Sequence, residues 1–147
     1  MICQDRVVIV TGAGQGIGRE HALALAAAGA RVVANDYDAT GAEKVVGEIV
    51  AQGGSAIASC GDVADWGYAA ELVRAATDRW GRLDALVNNA GFVRDRMLVS
   101  MTEQQWDDVI RVHLKGHAAP LHHAAAYWRQ RAKAGEPPAR TARRAKS

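Results

Sequence analysis

Residues 7–18 read Val7-Val8-Ile9-Val10-Thr11-Gly12-Ala13-Gly14-Gln15-Gly16-Ile17-Gly18. The β-branched run from Arg6 to Val10 predicts a strand, and the Ala- and Leu-rich residues 20–28 predict a helix. Between them, Gly12, Gly16 and Gly18 allow a tight turn, a close approach of the backbone and close packing of helix on strand. The free amides at the start of the helix can then face a pyrophosphate. The stretch therefore predicts strand, glycine turn and helix, with phosphate binding at the turn.

A second buried strand is predicted over residues 31–35, and it ends on Asp36. Asp36 lies 20 residues after Gly16. A carboxylate at this place accepts hydrogen bonds from the two hydroxyls of an adenosine ribose and repels a 2′-phosphate, so the pattern favours NAD over NADP as cofactor. A purely structural turn and a solvated loop acid are the alternatives.

The rest of the chain continues to alternate helices and strands. Apolar residues at helical spacing, β-rich runs and glycine stops predict helices over 42–50 and 66–80, strands over 55–60 and 83–87, and a long helix from Thr102 to about residue 134. This order predicts an α/β fold with a doubly wound parallel sheet of about four strands in the order 3-2-1-4. We expect the ligand crevice at the carboxyl ends of strands 1 and 4.

Composition agrees with one folded domain over residues 1–134. The chain has 147 residues, 49% of them hydrophobic, and no apolar run approaches the ~20 residues of a membrane helix. No signal peptide precedes the first strand, so we expect a cytoplasmic protein with no membrane partner, in which Cys3 and Cys60 are reduced thiols.

The positive charge is concentrated at the carboxyl end. Residues 129–147 hold seven basic residues and one acidic residue, whereas residues 1–128 carry a net charge of −4. Residues 135–147 are therefore predicted to form a basic, disordered tail. A nucleic-acid binder would spread its basic residues over a folded face, so nucleic acid is not expected as a partner.

Three motifs in order resemble the short-chain dehydrogenase/reductase family. Residues 11–18 resemble its Thr-Gly-x-x-x-Gly-x-Gly turn, Asp62-Val63 its adenine-contacting pair, and residues 88–91 its Asn-Asn-Ala-Gly motif. Residues 92–96 and 112–116 further resemble the branch that includes the 3-hydroxyacyl-CoA dehydrogenase domain of peroxisomal multifunctional enzymes. The resemblance covers residues 6 to about 134 and implies a Rossmann-like fold and NAD-dependent oxidation of a secondary alcohol or reduction of a 3-oxo compound.

The resemblance also implies cofactor roles for individual residues. Gln15 and Ile17 are expected against the nicotinamide-side ribose and phosphates, Asp36 at the adenosine ribose, and Asp62 with Val63 around the adenine. Residues 89–91 are expected to line the inner ribose. The complete set of expected cofactor-binding residues is Gly12, Gln15, Gly16, Ile17, Gly18, Asp36, Asp62, Val63, Asn89, Ala90 and Gly91.

The family's catalytic Ser and Tyr-x-x-x-Lys are expected after a fifth strand and are not found in this sequence. Tyr127 has Arg131 at i+4, but an arginine is a poor substitute for a lysine that lowers a tyrosine's pKa. His113 stands where the family has an Asn that holds a relay water, and a histidine can hold a water too, so it is the one catalytic candidate. His113 and His117 share a helix face, but they have no third ligand at fitting spacing, and no metal is predicted.

Residues 137–147 do not continue the strand–helix pattern. We interpret the sequence as a cofactor-binding fragment, inactive alone, in which a frameshift or premature stop replaced the second half. The strand at 83–87 would then have an unpaired edge that favours a changed homo-oligomer. Two alternatives stay open: a non-catalytic nucleotide-binding or regulatory module, and a nucleic-acid binder that acts through the tail.

Overall fold

A computed structural model describes residues 1–136, so most of the predicted tail at 135–147 lies outside the described residues. The four strands are β1 (Val7–Val10), β2 (Arg31–Asp36), β3 (Ser55–Cys60) and β4 (Ala85–Val87). They form one parallel sheet in the order β3-β2-β1-β4. This confirms the predicted fold class and strand order.

Helices cover both faces of the sheet, and the apolar side chains of β1 are therefore buried on both sides. Val8 and Val10 point to one face, where they pack with residues of α1 (Gly16–Ala27) and α2 (Ala39–Ala51). Val7 and Ile9 point to the other, where they pack with residues of α3 (Trp66–Trp80) and with Ala124. The alternation of side chains along a strand thus divides the core into two layers.

Side-chain caps set the starts of two helices. The Asp38 carboxylate accepts a hydrogen bond from Thr40 N at 3.1 Å, and the Asp65 carboxylate accepts one from Tyr68 N at 2.7 Å. Each carboxylate satisfies an amide that has no partner inside its helix. These caps place the helix starts next to the carboxyl ends of β2 and β3.

The predicted long helix exists, but it is not uniform. It begins at a capping box formed by Thr102 and Gln105 and comprises α4 (Glu103–Ile110), a π turn (Arg111–Lys115) and α5 (Gly116–Lys133). The predicted long helix is therefore present over nearly its full length, with a π turn at its centre that the sequence did not indicate. Pro120 lies inside α5, where it has no amide hydrogen to donate to the helix.

Strand β4 is shorter than predicted, because it begins at Ala85 rather than at residue 83. The Asp84 carboxylate accepts the hydrogen bond of Val7 N at 2.8 Å and also pairs with Arg82. The side chain of Asp84 thus takes over a contact that a regular ladder makes through the main chain. Strand β1 likewise begins at Val7, one residue later than predicted.

Within residues 1–136, no helix has both the length and the apolar character that crossing a bilayer requires.

A substitution in α2 tests the helical packing. Gly47 lies inside α2, and a Cβ placed on it meets no atom within 4 Å. Gly47→Ala is expected to raise the free energy of unfolding by about 0.5–1 kcal/mol, because alanine restricts the unfolded chain more than glycine does and favours the helix. Chemical denaturation measures the change, and a destabilised variant would contradict this packing.

Candidate dinucleotide site

The glycine turn joins β1 to α1. Gly12 and Gly16 have φ values of +63° and +56°, in the left-handed region that suits glycine. Gly18 lies in the first turn of α1, and a Cβ on it would lie 2.1 Å from the carbonyl oxygen of Gly12. The helix can therefore begin directly against the turn only because residue 18 has no side chain.

Thr11 and Asn89 bind the end of β1 to the end of β4. The buried Thr11 hydroxyl accepts hydrogen bonds from the main-chain amides of Asn89 and Ala90, both at 3.0 Å. In return, the Asn89 carboxamide donates to the carbonyl oxygens of Thr11 and Gly12 at 3.1 and 3.2 Å. This reciprocal set holds the glycine turn beside residues 89–91.

The Asp36 carboxylate is held in place at the end of β2. One oxygen accepts a hydrogen bond from Gly14 N at 2.8 Å, and the other accepts one from Asp38 N at 3.0 Å. A Cβ on Gly14 would lie 2.7 Å from this carboxylate, so the turn and the acid are in direct contact. Each oxygen still has a lone pair with which to accept a further hydrogen bond.

Asp62, after the end of β3, is fixed from two sides. One carboxylate oxygen accepts a hydrogen bond from Ala64 N at 2.9 Å, and the other forms an ion pair with Arg111 of the π turn. The ion pair was not predicted from the sequence, because the two residues lie 49 positions apart. It connects the adenine-side candidate to the helix that carries His113.

These elements enclose one groove of about 850 Å³ along the carboxyl ends of the strands. Every residue predicted for the site lines it: Gly12, Gln15, Gly16, Ile17, Gly18, Asp36, Asp62, Val63, Asn89, Ala90, Gly91 and His113. The groove is also lined by residues that sequence reasoning did not select, among them Asn35, Tyr37, Arg94 and Arg111.

His113 reaches the groove from the π turn, but its ring is engaged with the main chain. Nε2 lies 2.7 Å from the carbonyl oxygen of Phe92 and 3.1 Å from its amide. A ring nitrogen that carries a proton donates to the carbonyl, and one without a proton accepts from the amide. The predicted role of His113 in a water relay stays a prediction.

His117, Tyr127 and Arg131, which the sequence analysis considered for metal binding or catalysis, do not line the groove. His117 Nε2 is 3.0 Å from the carbonyl oxygen of Ala90, and its ring centroid is 6.3 Å from that of His113. Tyr127 receives a hydrogen bond from Arg131 at 2.9 Å and packs against the core, and neither residue lines the groove. Among the described residues, no group of three or more His, Cys, Asp or Glu side chains is arranged to hold a metal ion.

Asn35 is the main residue of the site that sequence reasoning missed. It precedes Asp36 in β2, is 1% exposed, and forms hydrogen bonds to both the glycine turn and the segment after β3. One of its partners is Tyr68, and burial raises the pKa of the Tyr68 phenol, partly offset by hydrogen bonds to Ser59 and Asn35. The available signal was a carboxamide in an otherwise apolar buried strand, where a polar group needs partners.

Comparisons with known proteins agree with this geometry. A family model described as short chain dehydrogenase matches residues 6–136. The hydroxyacyl-CoA dehydrogenase ChsB1 of Mycobacterium tuberculosis is 48% identical over 136 residues, which cover 89% of this chain and 43% of that protein. The peroxisomal multifunctional enzyme type 2 of Drosophila melanogaster is 48% identical over 120 residues, which cover 76% of this chain and 20% of that protein.

A solved structure extends the similarity to three dimensions. The short chain dehydrogenase from Mycobacterium avium superposes with a TM-score of 0.90 at 55% identity, covering 92% of this chain and 50% of the other. The chain thus spans half or less of the length of these relatives. The match over residues 6–136, together with the groove at the carboxyl ends of β1 to β4, establishes that this chain belongs to the short-chain dehydrogenase family.

Proposed function

We propose that the groove binds NAD and that residues 1–134 are the cofactor-binding half of an NAD-dependent oxidoreductase. The observation that carries this proposal is the Asp36 carboxylate, which lines the groove and is held by Gly14 N and Asp38 N with lone pairs left for a ribose diol. A 2′-phosphate placed against this carboxylate would be repelled, which supports NAD over NADP.

The residues present fit a dinucleotide. A Cβ on Gly16 meets no atom within 4 Å, so the backbone at the start of α1 is open to the groove, and the N-terminus of a helix attracts a diphosphate. Asp36 would hold the adenosine ribose, Asp62 and Val63 the adenine, and residues 89–91 the inner ribose. A volume of about 850 Å³ lies within the range of small-molecule and cofactor pockets.

Bound NAD would supply the hydride acceptor for oxidation of an alcohol, and the chain's own residues would bind and orient it. Asn89 holds the carbonyls of Thr11 and Gly12 in place, and Thr11 holds the amides of Asn89 and Ala90. These contacts fix the wall of the groove on the side of His113. We infer that His113 holds a water at this wall through Nδ1, because Nε2 is engaged with the main chain of Phe92.

The names of the relatives support a proposal for the substrate class. ChsB1 is named as a hydroxyacyl-CoA dehydrogenase, and we propose a 3-hydroxyacyl or 3-oxoacyl thioester, or another secondary alcohol, as substrate of the whole enzyme. None of the three tyrosines in the 147 residues has a lysine four positions later. We therefore expect binding without turnover, which is also what the alternative reading, a non-catalytic nucleotide-binding module, requires.

Coenzyme titration tests the proposal. We expect NADH to bind saturably, with energy transfer from tryptophan to the nicotinamide, and to bind at least about tenfold more tightly than NADPH, because Asp36 repels the added phosphate. An absence of saturable NADH binding would refute the cofactor assignment. Preference for NADPH would refute the role of Asp36.

Turnover assays test whether the 147 residues are catalytically competent on their own. NADH formation from a 3-hydroxyacyl-CoA or a steroid alcohol would show that the 147 residues are catalytically complete, against our expectation. NADH binding with no turnover over this panel would support a cofactor-binding unit.

A further inference from the structure

Asn35 has a position that the cofactor roles above do not explain. Thr11 and Asn35 are the buried polar residues of the described chain, and Asn35 is 1% exposed. A carboxamide removed from water is costly unless its donors and acceptor are all paired, and a fully paired one rigidifies what it connects. The partners of Asn35 therefore show what it holds together.

Two of these partners belong to the glycine turn. The Asn35 side-chain oxygen accepts a hydrogen bond from Gly12 N at 3.3 Å, and its main-chain oxygen accepts one from Ala13 N at 2.7 Å. A single residue of β2 thus holds two consecutive amides of the turn that faces the phosphates.

The other partners belong to the segment at the end of β3. The Asn35 Nδ2 lies 3.3 Å from the carbonyl oxygens of Ser59 and Gly61 and 2.9 Å from the Tyr68 hydroxyl. Gly61 directly precedes Asp62, and both line the groove. The same carboxamide therefore connects the turn with the segment that carries the adenine-side candidate.

We propose that Asn35 is a positioning residue, whose carboxamide fixes the spacing between the glycine turn and the Gly61–Asp62 segment and thereby tightens dinucleotide binding. This inference rests on the proposed cofactor function. A ligand that contacts both places at once benefits from a preset spacing, because no binding free energy is lost in ordering the protein. A ligand that contacts only the adenine end gains little from it.

The proposal predicts a ligand-dependent effect of Asn35→Ala. NADH and ADP-ribose, which span both places, are expected to bind about tenfold more weakly or worse, whereas the affinity for adenosine, which has no phosphate to contact the turn, should change by less than about threefold. Calorimetry of the folded full chain measures all three affinities. An equal loss for adenosine and ADP-ribose, or no loss for either, would overturn the proposal.

Tyr68→Phe is the matched control. It removes one partner of Asn35, but the two Nδ2 hydrogens keep the carbonyls of Ser59 and Gly61 as acceptors. We expect it to lower the unfolding temperature, because Ser59 also loses a hydrogen bond, while ADP-ribose affinity stays within about twofold of the parent. A loss as large as that of Asn35→Ala would show that affinity follows general stability, against the proposal.

Amide hydrogen exchange in the parent chain gives a measurement that needs no variant. We expect the Gly12 amide to exchange slowly without ligand, because Asn35 already holds it, and rapid exchange at Gly12 would overturn the proposal even if Asn35→Ala does not fold. If the parent binds no NADH, the proposed function fails, and the Gly12 exchange rate still decides whether Asn35 holds the turn.

Discussion

Replacing Gly18 with alanine is expected to abolish measurable NADH binding and to lower the free energy of unfolding by about 3 kcal/mol. The added Cβ would lie 2.1 Å from the Gly12 carbonyl oxygen and 2.4 Å from the Asn89 carboxamide nitrogen. Neither atom can move alone, because Asn89 donates to Gly12 and Thr11. Helix α1 must therefore shift away from the turn, and this shift moves its N-terminus from its position in the groove.

Two glycine variants serve as controls for Gly18→Ala. Gly47→Ala introduces the same methyl group on a neighbouring helix without any contact and should leave NADH binding unchanged. Gly16→Ala meets no atom but strains a φ of +56°, so it should destabilise by only about 1–2 kcal/mol. Denaturation and NADH titration of all three variants check the ranking. A Gly18→Ala variant as stable as Gly47→Ala would contradict the close approach of α1 to the turn.

Replacing Asp36 with alanine is expected to weaken NADH binding by about a hundredfold and to remove the preference for NADH over NADPH. The ribose loses a charged acceptor, which accounts for roughly 1.5–3 kcal/mol, and Gly14 N loses the oxygen that orders the turn. The repulsion of a 2′-phosphate disappears with the carboxylate. Parallel titrations with NADH and NADPH measure both effects.

Asp38→Ala is the control for Asp36→Ala because it removes the same charge two residues away. The Asp38 carboxylate caps α2 through Thr40 N, and Asp38 does not line the groove. Its loss should therefore cost about 1 kcal/mol of stability and leave the NADH affinity within about twofold. Equal effects of the two variants on NADH binding would mean that net charge, rather than a contact at Asp36, governs the affinity.

Much of the fold was predictable because local and long-range signals agree in the first half of the chain. The β-branched strand at 7–10 and the acid at 36 belong to one strand–helix–strand unit. The crossover geometry of such a unit places its two strands side by side in a parallel sheet. Parallel strands also end at a common edge, so the residues after each strand had to meet. This explains why every predicted site residue lines one groove.

The features that the sequence did not predict depend on contacts between residues that are far apart in the sequence. The Asp84 carboxylate accepts a hydrogen bond from Val7 N, 77 positions away, and no local pattern carries that information. The ion pair of Asp62 with Arg111 joins the segment after β3 to the π turn. The buried bonds of Asn35 likewise involve residues 23 to 33 positions away.

The π turn also determines which side of α5 faces the sheet. A turn closed by a bond from Gly116 N to the Arg111 carbonyl holds one residue more than an α-helical turn, and one residue corresponds to a rotation of about 100°. Downstream, Ala124 reaches the core and the Trp128 indole donates to the Leu83 carbonyl at 2.7 Å only in this phase. Shortening the chain by one residue here would restore regular winding and turn the buried face of α5 away from the sheet, so this irregularity is what aligns α5 with the domain.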